Sequence, residues 1–595
     1  MFDPRNSKPD GFQVVNRGIH SGVAPNTLPR NQFAWAINTT FRNGVPETRP
    51  GWVRRDVTWS GEGVQDAVED GKFQGACALT VHNQLVLAVS NSFYLVNLLD
   101  LSGQDISVDT GTDTERVWMA EANGFVVSQN GRDKAFIWDG ATGRRADPFG
   151  AGGTVEVPTG TVMCYANSRL WVASPDRRSF VAGDIAFGPT GTARYRRADS
   201  VLKFTENTYL NEGGAFGVPN NAGEITAMAP VGQLDTATGQ GPLQVFTTSS
   251  IFSVNAPTDR TTWKNLTNPI QSVSMVDAGA TGWASPVAVN SDIWFRATDG
   301  VRSFGVGRRD FGTWANLPQS YELNRILTKD DPNLLDRSSS ILFDNRLLTT
   351  VQPMRSADHG VYHMGLAVLD FSGVTGLGSE GQPSWEGVWT GLRVLQLVGG
   401  VFNGVRRCFA VVLSSEDKIQ LWELTTDSRF DVRGTDVVPI QCSVETGAYN
   451  WNSGFDLLRL VHGCLWYDEM EGNVQFSTYY RPDQEPCWVH WSSWTSCAAR
   501  ETCTTADPAT GCASTPVNLS RQYRRRRVLP QPVDTMDSNL GKPYRMGDEF
   551  QIRIAWRGAV RLRKLRLWAA PVAEAAVVVQ NNSDGVVTTD VEVDA

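Results

Sequence analysis

The chain has no run of about 18 apolar residues, and its start, Met1-Phe2-Asp3-Pro4-Arg5, lacks the apolar core of a secretion signal. Synthesis and folding in a cytoplasm are therefore expected, and there the nine cysteines are expected as thiols rather than a disulfide frame. Histidine is scarce, and His20, His82, His359, His363, His462 and His490 form neither an HExxH pair nor a triad order. There is no GxSxG elbow, no Walker glycine loop and no GxGxxG ahead of a helix. These absences leave catalysis without support, so no catalytic, cofactor-binding or metal residue is assigned and no cofactor is expected. Two pairs, His462-x-Cys464 and Cys487-x-x-His490, have spacings a tetrahedral zinc accepts. Thiols packed beside aromatic rings in a long Cys/Trp-rich loop (Cys487, Cys497, Cys503, Cys512) are the preferred reading.

Long helical patterns are also few, whereas the 20 Trp and 26 Phe favour pleated structure. Short apolar strands separated by Asn, Ser, Pro and Asp recur along the chain. Met163 to Asp184 is the clearest unit: strand, Asn167-Ser168 turn, Arg169–Ala173 return, a Pro175-Asp176 turn, then Phe180–Asp184. Related units run from Leu79 to Asn97, Val117 to Asp139 and Pro286 to Phe304, with weaker ones at Ile225–Asn255, Ser340–Asp370 and Val398–Glu423. Repeats at roughly 40–70 residues predict a β-propeller of six or seven blades with inserted loops. The insertions are expected at 186–221, 256–280, 306–336 and 372–390. An all-β protein follows, divided into an extended arm (1–32), a propeller (33–429), a β-sandwich-like domain (430–572) and a loose acidic tail (573–595). The Ser-x-Asp-x-Gly-x-x-Trp box of propeller sialidases has its nearest match in Thr258–Trp263, which lacks the glycine.

The net charge of −9 hides a split: residues 521–566 carry thirteen Arg or Lys against four Asp or Glu, a local +9 that leaves −18 elsewhere. An acidic body argues against nucleic-acid binding as the main task. Within the basic stretch, Arg524, Arg525, Arg526 and Arg527 precede alternating strands that put Arg553, Arg561 and Arg563 opposite apolar residues. Isolated exposed ion pairs return only about 0–1 kcal/mol, so such a cluster is poorly explained by stability and is read as a docking surface for an acidic protein neighbour.

The order Gly18, Ser21, Pro25, Leu28, Gln32, Asn38, Gly44 and Arg49-Pro50-Gly51 resembles the N-terminal signature of tail tube proteins of short-tailed phages, the nozzle (tail tubular protein B) family and related propeller-bearing hubs. Asp299–Phe304, Pro318-Gln319-Ser320 with Glu322–Leu327, and Leu243–Phe252 are similar to further stretches of that family in the same order. The resemblance implies a structural virion protein, made in the bacterial host and resident in the tail. It would be a homo-oligomer, six-fold by resemblance, touching the tail adaptor and fibre proteins while genomic DNA passes without sequence-specific contact. A net-acidic channel wall is expected, since phosphates do not adhere to like charge. The rival readings are a receptor- or glycan-binding propeller and, further off, a propeller hydrolase. The arm itself is expected to close the last blade, with Arg49 locking it through a salt bridge.

Overall fold

The computed structural model describes residues 7–148, 155–184, 198–204, 215–232, 240–254, 270–273, 278–305, 318–373, 383–453, 457–497, 524–533, 545–572, 578–581 and 587–590. Its largest part is a seven-bladed β-propeller. Blade 1 comprises Phe73–Leu79, Gln84–Val89, Ser92–Asn97 and Ser102–Asp105, with Thr58–Ser60 added in parallel at its rim. Blades 2, 3 and 4 repeat the four-stranded antiparallel plan over Trp118–Arg145, Met163–Gly217 and Ile225–Val273. Blade 5 has three strands among the described residues, Val287–Val289, Asp292–Ala297 and Gly300–Ser303. Blade 6 runs from Ser340–Phe343 through Arg346–Ser356 and Gly360–Asp370 into the 19-residue strand Ser384–Phe402.

That long strand serves two blades. Its first half pairs with Gly360–Asp370, and its second half pairs with Val405–Leu413 as the innermost strand of blade 7. Ile419–Thr425 follows, and the outermost position is filled by Gly51–Arg55 from near the chain start, antiparallel to it. The innermost strands touch in an unbroken cycle from blade 1 round to blade 7 and back. At the seam, Gln396 donates to the Ala76 carbonyl at 2.9 Å and accepts from its amide at 3.0 Å. Closure removes every inner edge. Separate apolar cores fill the wedges: Leu85, Val96, Val411 and Leu421 lie between blades 1 and 7, and Trp52, Leu348, Trp389 and Trp422 between blades 6 and 7.

The first turn of most blades is an asparagine held at positive φ: Asn83, Asn123, Asn167, Asn290, Asn345 and Asn403. Such turns match the right-handed twist of the strands they join, and Asn tolerates the left-handed region better than other side-chain-bearing residues. This is the repeated Asn visible in the sequence. At the hub, Trp283, on the approach to blade 5, packs against both the core between blades 1 and 2 and the core between blades 3 and 4.

The second part is a folded sheet built on two long antiparallel strands, Leu458–Pro482 (25 residues) and Phe550–Pro571 (22 residues). Register shifts at Trp466/Tyr467, Asp468/Glu471 and Glu471/Gln475 bend the pair, so its two halves face each other as a β-sandwich-like half-barrel. One half is flanked by Arg525–Leu529 and Lys8–Phe12; the other by Val489–Cys497 and Gln441–Thr446. Phe12, Phe33, Leu460, Phe476, Ile554 and Leu565 are among the core between them.

The extended N-terminal segment lies along other strands, and those strands belong to both parts of the fold. Lys8–Phe12 is a strand of the second sheet, and Phe33–Ile37, which the sequence reading assigns to the propeller, pairs with Gln441–Thr446 and touches blade 6 at Val388. Phe33, Trp35 and Ala36 are all buried, so both neighbours exclude water from this strand. The expected loose tail contains an antiparallel strand pair, Val578–Asn581 with Val587–Asp590, each strand drawn from a valine-rich run. Much of the four expected insertions lies outside the described residues, but Ser384 onward is strand, not loop. No described helix is long and apolar enough to cross a membrane.

Candidate functional site

The residues of the N-terminal signature form one continuous fastening between the propeller and the second sheet. Arg49 is buried and grips Asp431 with two nitrogens, each at 2.9 Å. Its Nε donates to Asn38 Oδ1 at 3.0 Å, and the Asn38 amide donates to the Gln441 carbonyl at 2.8 Å. Gly18 lies at φ 62°, and a Cβ there would stand 2.2 Å from the Trp385 carbonyl oxygen. At Gly51 the equivalent distance to the Phe430 carbonyl oxygen is 1.8 Å. Neither approach admits a side chain. Gly51→Ala is expected to push the 430–439 hairpin off the last blade, costing about 1–3 kcal/mol by overpacking; a fall in melting temperature against wild type measures it.

Two residues 301 positions apart in the chain, Ser21 and Glu322, meet here. Ser21 donates to the Glu322 carbonyl through both its amide (2.8 Å) and its hydroxyl (2.9 Å), and the Arg325 amide donates back to Ser21 Oγ at 3.2 Å. Tyr321 OH donates to the Gly22 carbonyl at 2.9 Å. Behind them Ser320 Oγ accepts from the Val301 amide at 2.8 Å, joining the Asp299–Phe304 strand to the Pro318–Ser320 turn. No ion pair to Glu322 forms among the described residues, and burial lifts its carboxyl to about 7.

The structure divides the candidate docking arginines into two groups. Arg561 pairs with Asp468 at 2.8 Å and Glu469 at 2.7 Å and lies 3.8 Å from Glu47; Arg563 reaches Asp468 at 3.4 Å. These two are matched within the chain. Arg553 lies in register between Glu445 and Tyr479 on the other half-sheet. Arg524 is exposed ahead of the edge strand, and Arg525 donates to Ser496 Oγ at 3.0 Å. Arg526 and Arg527 are exposed yet lie on rings, 5.4 Å from Trp466 and 5.5 Å from Trp494. Arg526 also directs Nε and Nη2 at the buried Cys464 sulfur, at 3.3 and 3.2 Å.

Two cations absent from the sequence-derived set complete this surface. Lys564 lies over the opposite flank of Trp466 at 4.6 Å, and Arg566 over Trp568 at 4.9 Å. The bulge explains the omission. Buried residues step by two, three, then two along Val560, Leu562, Leu565 and Leu567, so side chains change face after Leu562. That three-residue step was the available signal. The resulting outward face alternates cation and indole, which holds the charges in place at low entropy cost.

The zinc spacing is not realised among the described residues: His462 stacks on Trp568 at 4.4 Å, Cys464 meets Arg526, Cys487 is exposed, and His490 faces Ser493 at 2.7 Å. No group of three or more His, Cys, Asp or Glu able to hold a metal forms among the described residues. Cys77, Cys164, Cys408, Cys442, Cys464 and Cys487 are thiols as expected, but Cys497 is disulfide-bonded, a correction to the all-thiol reading. Cys503 and Cys512 lie outside the described residues. A cavity of about 430 Å³ sits at the seam of blades 1 and 7, with Leu87, Val96, Val411 and Leu421 among its walls and Arg54 and Lys418 on its rim. Both rim cations are already paired, Arg54 to Asp56 and Lys418 to Glu69.

No family model matches the chain, and no curated protein matches it. Among solved structures, a chain of a mitotic checkpoint complex is similar at TM-score 0.34 and 10% identity, over 60% of this chain and 93% of that one. The β-propeller domain of Cps50 (Swd1) from Myceliophteria thermophila is similar at TM-score 0.31 and 11% identity, over 60% and 98%. The propeller assignment rests on the closed cycle of blades itself.

Proposed function

We propose that the chain is a structural subunit of a short phage tail, which assembles with copies of itself into a ring around the path of the genome and performs no catalysis. The observation that supports this most is the contact between Gly18–Gly22 and Tyr321–Arg325. Stretches that resemble the tail family separately are one structural unit, and that unit joins the two parts of the fold. The charge split supports an assembly surface. With Arg561 and Arg563 matched internally, Arg524, Arg526, Arg527, Lys564 and Arg566 are among the cations left to meet an acidic neighbour.

The test is assembly. Electron microscopy of the purified full chain is expected to show closed rings; a monomer at all concentrations would overturn the reading. Arg526→Glu with Arg527→Glu is expected to leave the melting curve unchanged and to weaken assembly about tenfold or more, an effect that added salt should imitate. Normal assembly of that variant removes the docking role while leaving the ring reading intact.

A further inference from the structure

One end of the propeller hub carries a second cationic site, remote in sequence from the sheet arginines. In each blade the connector that enters the innermost strand and the turn between the second and third strands lie at the same end. Arg116 precedes blade 2, Arg337 precedes blade 6, Arg177 lies in the second turn of blade 3, and Arg355 at the corresponding turn of blade 6. Two acid–arginine dipeptides face each other across the mouth. Arg116 pairs with Asp336, while Arg337 donates to the Glu115 backbone carbonyl. Arg177 pairs with Glu224, and Arg116 lies over Trp118 at 5.3 Å. Arg337 and Arg355 have no carboxylate within ion-pair distance among the described residues. Trp118 belongs to an apolar cluster on which Trp283 also packs.

We propose that this mouth is a binding site for an acidic peptide segment, with one carboxylate seated between Arg116 and Arg337. Each guanidinium is a planar fork that accepts a carboxylate through two parallel hydrogen bonds, and a shared carboxylate would hold two forks at once. The two sites now held by Asp336 and by a backbone carbonyl are those the ligand would take, so the clasp is a resident competitor. The electrostatics agree: burial, with Arg337 and Arg177 alongside, lowers Arg116 to about 9, and burial lowers Arg337 to about 10. Glu115 and Glu224 offset part of the like-charge crowding among Arg116, Arg337, Arg177 and Arg355, and an added anion relieves more of it. A carboxylate is the group that Arg116 already binds here, in Asp336.

The experiment is calorimetric titration of the full-length protein with an acetylated, amidated Glu-rich peptide, its Gln-substituted twin and inorganic phosphate. Saturable binding of the Glu peptide alone is expected. Arg116→Gln with Arg337→Gln should weaken it about tenfold or more, and Asp336→Asn, which removes the competitor, should tighten it severalfold. Arg406→Gln, exposed at the opposite end of the blades, should leave it unchanged. Absence of saturable binding, equal binding of the Gln twin, or weaker binding by Asp336→Asn overturns the proposal. Competition by phosphate at the peptide's own concentration overturns the carboxylate assignment. If the double arginine variant does not fold, Asp336→Asn alone decides.

Discussion

Arg49→Ala is expected to cost about 3–5 kcal/mol, the range for breaking a buried ion pair by removing one partner. Arg49 is 1% exposed and Asp431 is 16% exposed, so the abandoned carboxylate gains little hydration where it stands. The lost hydrogen bonds to Asn38, the Pro50 carbonyl and the Thr390 carbonyl add smaller amounts, each about 0.5–1.5 kcal/mol. The stranded charge is therefore the dominant effect. Arg49→Lys restores charge without the fork and should recover only part. Arg49→Met with Asp431→Leu should recover most, since a well-packed apolar pair replaces a buried ion pair at little cost. Chemical denaturation followed by limited proteolysis reads both the loss and its place: early cleavage between blade 7 and the second sheet is expected for Arg49→Ala. An unchanged midpoint would remove Arg49 from the fastening.

Asp330→Ala is expected to be comparably severe, also about 3–5 kcal/mol. Arg296 and Asp330 are 0% and 1% exposed at 2.8 Å, and Arg296 Nε and Nη1 have no hydrogen-bond partner among the described residues. Asp330 also accepts the Gln352 amide at 2.9 Å. Without it a guanidinium stays buried beside His363, whose Nδ1 faces the Val394 carbonyl at 3.3 Å. Burial, and then the Arg296 charge, hold His363 down to about 4. Its folded value lies below the unfolded value of about 6.5, so the unfolded chain takes up the proton first. Stability from this residue is complete above about pH 6.5 and is lost as pH falls toward 4. His363→Gln should flatten that part of the melting-temperature profile between pH 6.5 and 4, and a profile unchanged by the substitution would exclude the residue as its source.

The propeller was legible because its second and third strands repeat as apolar hairpins. Phe93–Asn97, Phe136–Trp138, Ile251–Val254, Gly360–Asp370 and Ile419–Thr425 are all third strands of their blades, and the Asn turns mark the first hairpins. The fourth strands were not legible. Ser102–Asp105 and Gly143–Arg145 are short, polar and half exposed, with no apolar period to detect. Nor does periodicity reveal that Ser384–Phe402 serves two blades, because sharing is a property of pairing. The cationic surface was half legible for a similar reason. Composition located Arg524–Arg527, but face depends on parity, and one bulge turns Lys564 and Arg566 away from the core as well as Arg561 and Arg563.

The early strands have a consequence in time. Lys8–Phe12 hydrogen-bonds to Leu565–Ala569, and Gly51–Arg55 to Leu421–Thr425. At about 5–20 residues per second, the first strand waits roughly 30–110 s for its partner to be synthesised. Blades 1 to 6 can form as they emerge, but neither the last blade nor the second sheet has its full set of strands until nearly the whole chain exists. During that interval the first 50 or so residues carry Phe12, Phe33, Trp35 and Trp52 with no surface to cover them. The edge they later occupy stays open to other chains. Truncation ahead of Phe550–Pro571 should therefore leave an adhesive N-terminal segment, so the aggregation hazard of a nonsense mutation there originates some 500 residues upstream of the lesion.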